Sequence, residues 1–301
     1  MILRPPREDE FEAMRELMNA HQLAAFGEAD VTEDELRQWL SAPTVDVERD
    51  LRVLEDDGRL VGYADVDPNH DDPPLWWCDV KVAPDADADA VLPELVGWLD
   101  ERARAGRLRV WTGAEDARVL AVLERLGFAS LRHSYRMEIS LDGEPRRPVW
   151  PEGITVRTAT ADDHRLLYET VIEVWRDTSD PWQETFEEWC HWIVETPAYD
   201  PSLWFLAFAG DELAGFSLCR VDATDASAGY VGTLGVRRPW RRQGLGEALL
   251  LHSFEAFRSR GYTRSTLGVD AASPTGATRL YERAGMRVYR TTVFLERPVA
   301  G

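Results

Sequence analysis

The run VRRPWRRQGLGEALL, residues 236–250, places arginine at 237, 238, 241 and 242 and glycine at 244 and 246. An apolar, strand-like stretch, GYVGTLGV (229–236), leads into it, and an amphipathic run, GEALLLHSFEAFRSR (246–260), leads out. The first N–H groups of a helix that starts there have no internal partners, and the helix dipole adds partial positive charge. Glycines let an anion reach those N–H groups directly, and Arg241 and Arg242 can add charge-assisted bonds. A phosphate or pyrophosphate fits that chemistry. A solvated basic turn opening a surface helix satisfies the same spacing, and spacing alone does not separate the two. Competing phosphate signatures fit worse: GxxxxGK[ST] is missing, and Leu249 stands where a dinucleotide fingerprint wants Gly or Ala.

Around this run the chain rhymes with itself. LEDDGRLVGYADV (54–66) and AFAGDELAGFSLC (207–219) are each a turn followed by a short apolar strand, and VLERLGF (122–128) and LYERAGM (280–286) are each a helix end stopped by glycine. Between the halves, LDGEPRRPVWPEGI (141–154) strings prolines and glycines together and reads as a linker. In the second half, strand ITVRTAT (154–160) precedes a helix over 162–177, capped by Asp162 or Asp163, and a second helix over 184–195. Strands LWFLAFA, LAGFSLCRV and GYVGTLGV follow through short turns and are therefore antiparallel. After the helix over 246–260 come strand RSTLGVDA, helix TGATRLYERA and a closing pair of strands, RVYR and TTVFLER. This order predicts an α+β fold in two tandem copies, each a mixed, mostly antiparallel sheet flanked by helices. The predicted domains are residues 1–143 and 153–301, joined by 144–152.

Arg241-x-x-Gly244-x-Gly246 after a strand resembles the R/Q-x-x-G-x-G/A signature of the GNAT superfamily of N-acetyltransferases, and the helix ATRLYERAGM (277–286) resembles their second recurring motif. The tandem arrangement is similar to two-domain acetyltransferases of the mycothiol synthase type. The resemblance implies transfer of an acetyl group from acetyl-CoA to the amine of a small molecule by direct attack on the thioester, with acetyl-CoA as co-substrate and no metal. It also leaves open a non-catalytic acyl-CoA sensor or scaffold. It implies that backbone N–H groups of Gln243, Gly244, Leu245 and Gly246 bind the pyrophosphate, and that Leu234, Gly235 and Val236 pair with the pantetheine arm. A glycine within a strand marks a bulge or a close backbone approach, so Gly235 is expected to lie where the sheet splays.

By the same resemblance Tyr281 is the general acid that protonates the departing thiolate. A tyrosine with an ordinary pKa of about 10 is protonated at pH 7. Periodicity alone reads the same residue as a core aromatic. Two positions depart from the family pattern. Ser273-Pro274-Thr275-Gly276 replaces a segment that often carries asparagine, and Tyr230 stands where many members have a glutamate base. The base is therefore unassigned, with water, a backbone carbonyl or an acid such as Asp222 as options. Bringing an amine with a pKa of about 10.4 to its neutral form at pH 7 costs about 4 to 5 kcal/mol.

The first copy reads VAPDADADAVL (82–92) where the second has its arginine-rich turn, and the repeat places Leu123 opposite Tyr281. Acids at 85, 87 and 89 repel a phosphate, so the first domain is expected to be degenerate and non-catalytic. For the acceptor, residues 174–192 set Trp175, Trp182, Trp189 and Trp192 among Asp177, Asp180, Glu184, Glu187 and Glu188. Rings beside carboxylates suit a cationic amine, with Trp182 and Glu188 as candidate contacts. Inward-facing tryptophans with solvated acids explain the same pattern. His191 reads as a surface or packing histidine.

Composition bounds the rest. With 54 Asp+Glu against 34 Lys+Arg the net charge is -20, which disfavours nucleic acid as a partner. No apolar run approaches the roughly 18 residues of a membrane span, and no signal-like start is present, so the expected partners exclude membranes and the expected location is the cytoplasm. Cys78, Cys190 and Cys219 lack CxxC spacing and read as inert thiols. The sequence does not fix an oligomeric state.

Overall fold

A computed structural model of the chain describes residues 1–68, 73–143, 146–178 and 184–300. Two compact units emerge, one of residues 1–134 with 290–301, the other of residues 135–289. In chain order the elements are β1 (Ile2–Arg4), α1 (Phe11–Phe26), α2 (Glu33–Leu40), α3 (Val47–Asp50), β2 (Leu51–Asp56), β3 (Arg59–Pro68), β4 (Leu75–Val82), α4 (Ala88–Ala103), β5 (Arg107–Gly113), α5 (Ala117–Arg125) and β6 (Ala129–Ser140). They continue with β7 (Ile154–Thr158), α6 (His164–Trp175), α7 (Phe186–Ile193), β8 (Trp204–Ala209), β9 (Glu212–Val221), β10 (Ala228–Val236), α8 (Leu245–Ser259), β11 (Arg264–Asp270), α9 (Ala277–Ala284) and β12 (Arg287–Pro298). The repeat seen in the sequence is a repeat of these elements. Gly58 and Gly210 both turn their hairpins at positive φ, and Gly127 and Gly285 end α5 and α9 at φ 88° and 100°.

In the first unit the strands lie in the order β1-β2-β3-β4-β5-β12, antiparallel except for the β4–β5 pair. One face of that sheet packs on α4 and α5 through Val91, Leu95, Leu99, Val119 and Leu123, the other on α1 and α2 through Met14, Leu17, Leu36 and Tyr63. In the second unit the order is β7-β8-β9-β10-β11-β6, again antiparallel from β7 to β10 and parallel between β10 and β11. Here α8 and α9 cover one face through Leu249, Phe257 and Tyr281, and α6 and α7 cover the other through Leu167, Val171 and Trp189. The mixed, mostly antiparallel α+β architecture expected from the element order is thus present in both copies.

The division of the chain differs from the expected 1–143 and 153–301. The segment RVYRTTVFLER, read as two strands, is one strand, and from Arg290 onward it belongs to the first unit. It pairs antiparallel with β5 from Thr292↔Gly113 to Pro298↔Arg107. Val293 and Leu295 enter the first core, Glu296 bonds Arg109 and Arg107, and Arg297 bonds Asp100. Conversely, Met137 and Leu141, upstream of the proposed linker, are buried in the core of the second unit. Pairing partners nearly two hundred residues apart decide these memberships, and a linear reading sees only composition breaks.

Two backbone positions constrain the second sheet. A Cβ on Gly235 would stand 2.4 Å from the Phe216 ring, and one on Gly229 would stand 2.3 Å from Phe257. Gly235 is therefore a packing glycine. The register shift that bends β10 falls instead between Val231 and Thr233, at Gly232. In the first unit a polar group is buried beside β3. Tyr63 Oη donates to Asp65 Oδ2 at 2.7 Å, and the Asp79 N–H donates to Asp65 Oδ1 at 3.2 Å. Burial, followed by the neighbouring Asp79 charge, outweighs both donors and pushes the Asp65 carboxyl up to about 8.

Two outcomes follow. Gly235→Ala should destabilise the chain by about 1–3 kcal/mol through overpacking, and adding Phe216→Leu should recover most of that in thermal unfolding. A carboxyl raised in the folded state keeps its proton where the unfolded chain has lost it. The stability difference between wild type and Asp65→Asn should therefore shift against wild type as pH rises from the ordinary carboxylate range to about 8. Its slope is at most about 1.4 kcal/mol per pH unit, and denaturant midpoints at a series of pH values measure it.

Candidate active site

Strands β10 and β11 run side by side only from Ala228↔Arg264 to Val231↔Leu267. Past the bulge, Thr233–Val236 keeps its pairing with β9, from Thr233↔Leu218 to Val236↔Gly215, while pairing with β11 has ended. The edge of Leu234, Gly235 and Val236 that faces away from β9 therefore opens into a wedge between two parallel strands. Backbone N–H and C=O groups there are donors and acceptors for an extended ligand.

The chain leaves β10 at Val236 and turns through the arginines. Arg237 donates to Glu173 at 2.8 and 3.0 Å and to Leu213 O at 3.2 Å. Arg241 donates from Nε to Val236 O at 2.8 Å and from Nη1 to Asp177 Oδ2 at 2.7 Å, and Arg238 binds the same carboxylate. Arg238, then Arg241, hold the Asp177 carboxyl well below the usual carboxylate range. These three arginines thus fasten the turn to the end of α6, and Arg241 has its guanidinium committed there. Arg242 is exposed at φ +59° and makes no ion pair among the described residues. Gln243 is exposed, with its amide donating to Pro239 O at 2.9 Å.

Gly244 follows at φ +89° and begins α8 without any side-chain cap. A left-handed residue of this kind favours glycine, and the absence of a capping side chain leaves the first-turn N–H groups facing outward. Leu245 anchors the turn in the core. A Cβ on Gly246 would stand 3.3 Å from Leu280 Cδ1, so the second glycine lets α9 pack closely on the start of α8.

Tyr281, one turn into α9, is buried. Burial, and secondarily the phenol of Tyr230, push its pKa above that of an ordinary tyrosine, so its proton is retained. Tyr230 stands at the penultimate β10–β11 pair, Tyr230↔Thr266. Its hydroxyl lies 3.5 Å from where a Cβ on Gly268 would be. Two guanidiniums flank the ring, Arg136 and Arg220, each 4.7 Å from its centroid. Sequence reasoning singled out Tyr230 only as a missing glutamate and did not find the arginine pair, which comes from β6 and β9. Asp222, a candidate proton relay, accepts from Thr266 Oγ1 at 2.8 Å and from Thr224 N and Oγ1 at 3.1 and 2.9 Å. These donors, Thr266 first, outweigh its burial and hold it below the ordinary range as a carboxylate.

Of the candidate acceptor contacts, Trp182 and Asp180 lie outside the described residues. Glu188 accepts from the Thr185 N–H at 2.6 Å while its own N–H donates to Thr185 Oγ1, a capping box that starts α7. Trp189 is a core residue stacked among Phe186, Tyr168 and Trp204.

The first unit offers the contrast. Its β4 and β5 also part early, after Trp77↔Arg109. Lys81, 1% exposed, stands opposite Tyr63 as Gly235 stands opposite Phe216. Its Nζ lies 2.8 Å from Asp79 Oδ1 and 3.8 Å from the centroid of Trp111 on β5, so its side chain fills the wedge. At the start of α4 Asp87 caps its own helix by accepting from the Asp89 N–H, Asp85 pairs with Arg59, and Asp89 pairs with Arg125. Leu123 is buried where the second unit has Tyr281.

Residues 167–286 match the acetyltransferase (GNAT) family. A mycothiol acetyltransferase of Streptomyces scabiei is 30% identical over 275 residues, 88% of this chain and 84% of the relative. That of Acidothermus cellulolyticus is 32% identical over 263 residues, 82% of this chain and 79% of the relative. Among solved structures, a GCN5-related N-acetyltransferase from Sphaerobacter thermophilus superposes with TM-score 0.80 at 32% identity, covering 100% of this chain and 96% of the other. A tandem GNAT protein from the clavulanic acid biosynthesis pathway shares the fold, with TM-score 0.79, 16% identity and coverage of 100% and 99%. The wedge, the uncapped glycine-led helix and these relatives agree, and the chain belongs to the GNAT family of acetyltransferases, moving an acetyl group from acetyl-CoA to an amine.

Proposed function

We propose that acetyl transfer takes place in residues 135–289, with the acetyl-CoA diphosphate at the start of α8 and the pantetheine arm along Leu234, Gly235 and Val236. The observation that carries this reading is the early end of β10–β11 pairing at Val231↔Leu267, directly before a helix that opens on Gly244 without a cap. The N–H groups of Gln243 through Gly246, with the helix dipole, suit a diphosphate. Arg242 is the arginine available to add charge, since Arg241 and Arg238 hold Asp177. Asp177 fixes the turn before substrate arrives, so little ordering is left for binding to drive.

In this reading the acceptor is the amine of a small molecule, which attacks the thioester carbonyl directly. The carbon–nitrogen bond forms, the carbon–sulfur bond breaks, the thiolate takes the Tyr281 proton, and the proton shed by the acylated nitrogen passes to water, from which the phenolate is reprotonated. Burial pushes the phenol above the usual tyrosine range, so it stays protonated through neutral pH and is present as a proton donor when the thiolate departs. N–H groups beside Gly235 are placed to polarise the carbonyl. The first unit is non-catalytic in this reading. Lys81 occupies its wedge, acids stand at its loop, and Leu123 has no proton to give.

Tyr281→Phe should lower kcat more than tenfold, about 1.4 kcal/mol or more of transition-state stabilisation, while the KM for acetyl-CoA changes less than twofold. Steady-state thiol release measures both, and near-normal turnover would remove Tyr281 from the mechanism. Calorimetric titration with acetyl-CoA should give one molecule per chain. A stoichiometry of two would show that Lys81 and the acidic loop do not close the first unit.

A further inference from the structure

The Tyr230 ring forms the floor beside the mouth of the wedge. Gly268 beside its hydroxyl and Gly232 beside its ring edge are both exposed, so this stretch of the sheet is open to solvent. Two cations lie against that floor, Arg136 from β6 and Arg220 from β9. Arg136 has a partial counter-charge, with Asp222 at 3.9 Å, and Asp222 is already engaged by Thr224 and Thr266. Arg220 makes no ion pair among the described residues, and its guanidinium reaches only the Val221 carbonyl, at 3.5 Å.

Several arginines of the same unit find carboxylates: Arg157 pairs with Asp163, Arg237 with Glu173, Arg238 and Arg241 with Asp177, and Arg264 with Glu138 and Asp225. Among the described residues Arg242, Arg258 and Arg260 do not, and what sets Arg220 apart from them is its place beside the open edge of β10, stacked on the same ring as a second guanidinium. A carboxylate side chain at position 230 would sit between Arg136 and Arg220 and neutralise them. The chain places a neutral phenol there instead. A negative charge that completes this cluster can arrive with a ligand, and the ligand that reaches the wedge mouth is the acceptor.

We propose that the acceptor carries an anionic group, carboxylate or phosphate, within a few bonds of its amine, and that Arg220, assisted by Arg136 across the Tyr230 ring, recognises that group. This inference rests on the acetyl-transfer reading above. Both anions fit the planar fork of a guanidinium through paired N–H donors. A simple cationic amine is disfavoured at the same place, because two guanidiniums repel an ammonium and nothing in the cluster holds a spare negative charge. The requirement reverses the expectation, drawn from the tryptophan- and acid-rich segment, that the acceptor site favours cations. It also makes Arg220 a specificity-determining residue with no part in bond making.

Matched acceptor series test the proposal: amino acids against their primary amides, and amino-sugar phosphates against the unphosphorylated amino sugars, each scored as kcat/KM by thiol release from acetyl-CoA. In at least one series the anionic member should be preferred at least tenfold, and the series that responds identifies the anion. Arg220→Gln should reduce that preference below threefold, and Arg220→Lys should restore part of it. Calorimetry with acetyl-CoA should give wild-type affinity for both variants, which establishes that each is folded. Equal use of neutral and anionic members, a preference that survives in Arg220→Gln, or acetyl-CoA binding with no acetylation in either series would each overturn the inference. Failure of the wild-type chain to bind acetyl-CoA would instead overturn the reading on which it rests.

Discussion

The separation of β10 from β11 after Val231↔Leu267 is the constraint on which the second unit is organised. A sheet normally satisfies backbone groups on both edges of an inner strand, and here one edge of residues 233–236 is released while the other stays fixed to β9. The extra residue at Gly232 turns the strand, as a bulge does. The end of the Phe216 ring packs against Gly235 and leaves no room for a side chain there. Tyr230 and Tyr281 lie on opposite faces of this sheet: Tyr281 belongs to the α8–α9 core, while Tyr230 stands opposite Arg220 on the other face.

The arginine-rich turn shows how structural and ligand roles divide within one motif. Phosphate recognition and loop anchoring both favour arginine, and sequence cannot say which guanidinium does which. Asp177 decides it by drawing Arg238 and Arg241 together. With Arg237 held by Glu173, the turn is tied at three points to α6 and the residue just beyond it. Arg242 is left outward on a strained, positive-φ backbone, a conformation that persists only where its surroundings impose it. The helix start that follows inherits this rigidity, and an anion site built from backbone N–H groups is only as well formed as the loop that aims them.

Legibility in the sequence tracked the range of the interactions involved. The glycine-stopped helices, the paired hairpins and the strand–turn–helix junction all depend on residues within a few positions of each other, and their signals were read correctly. The sequence reading puts Gly235 where the sheet splays, at a bulge or a close approach; Gly235 does lie on the parted edge and is closely approached by Phe216, while the bulge itself falls at Gly232. Glu188 was read as an acceptor contact, yet Thr185-x-x-Glu188 is a capping box that was visible in the sequence. The strand exchange and the arginine pair around Tyr230 had no local signal at all. Residues 292–298 pair with β5, and Arg136, Arg220 and Tyr230 come from three separate strands.

The two units carry the same break between parallel strands and resolve it in opposite ways. In the second, the residue opposite Phe216 is glycine, and the wedge stays clear of side chains from that position. In the first, the residue opposite Tyr63 is Lys81, whose stem crosses to Trp111 and whose ammonium meets Asp79. A buried lysine is costly unless paired, and Asp79 supplies the partner; the Asp79 charge in turn adds to burial, the larger cause, in raising the neighbouring Asp65. One change of residue type at the wedge thus draws a chain of compensating polar groups into the first core. The cleft between β4 and β5 is thus filled from within the first unit, by a lysine side chain and the carboxylate that pairs with it.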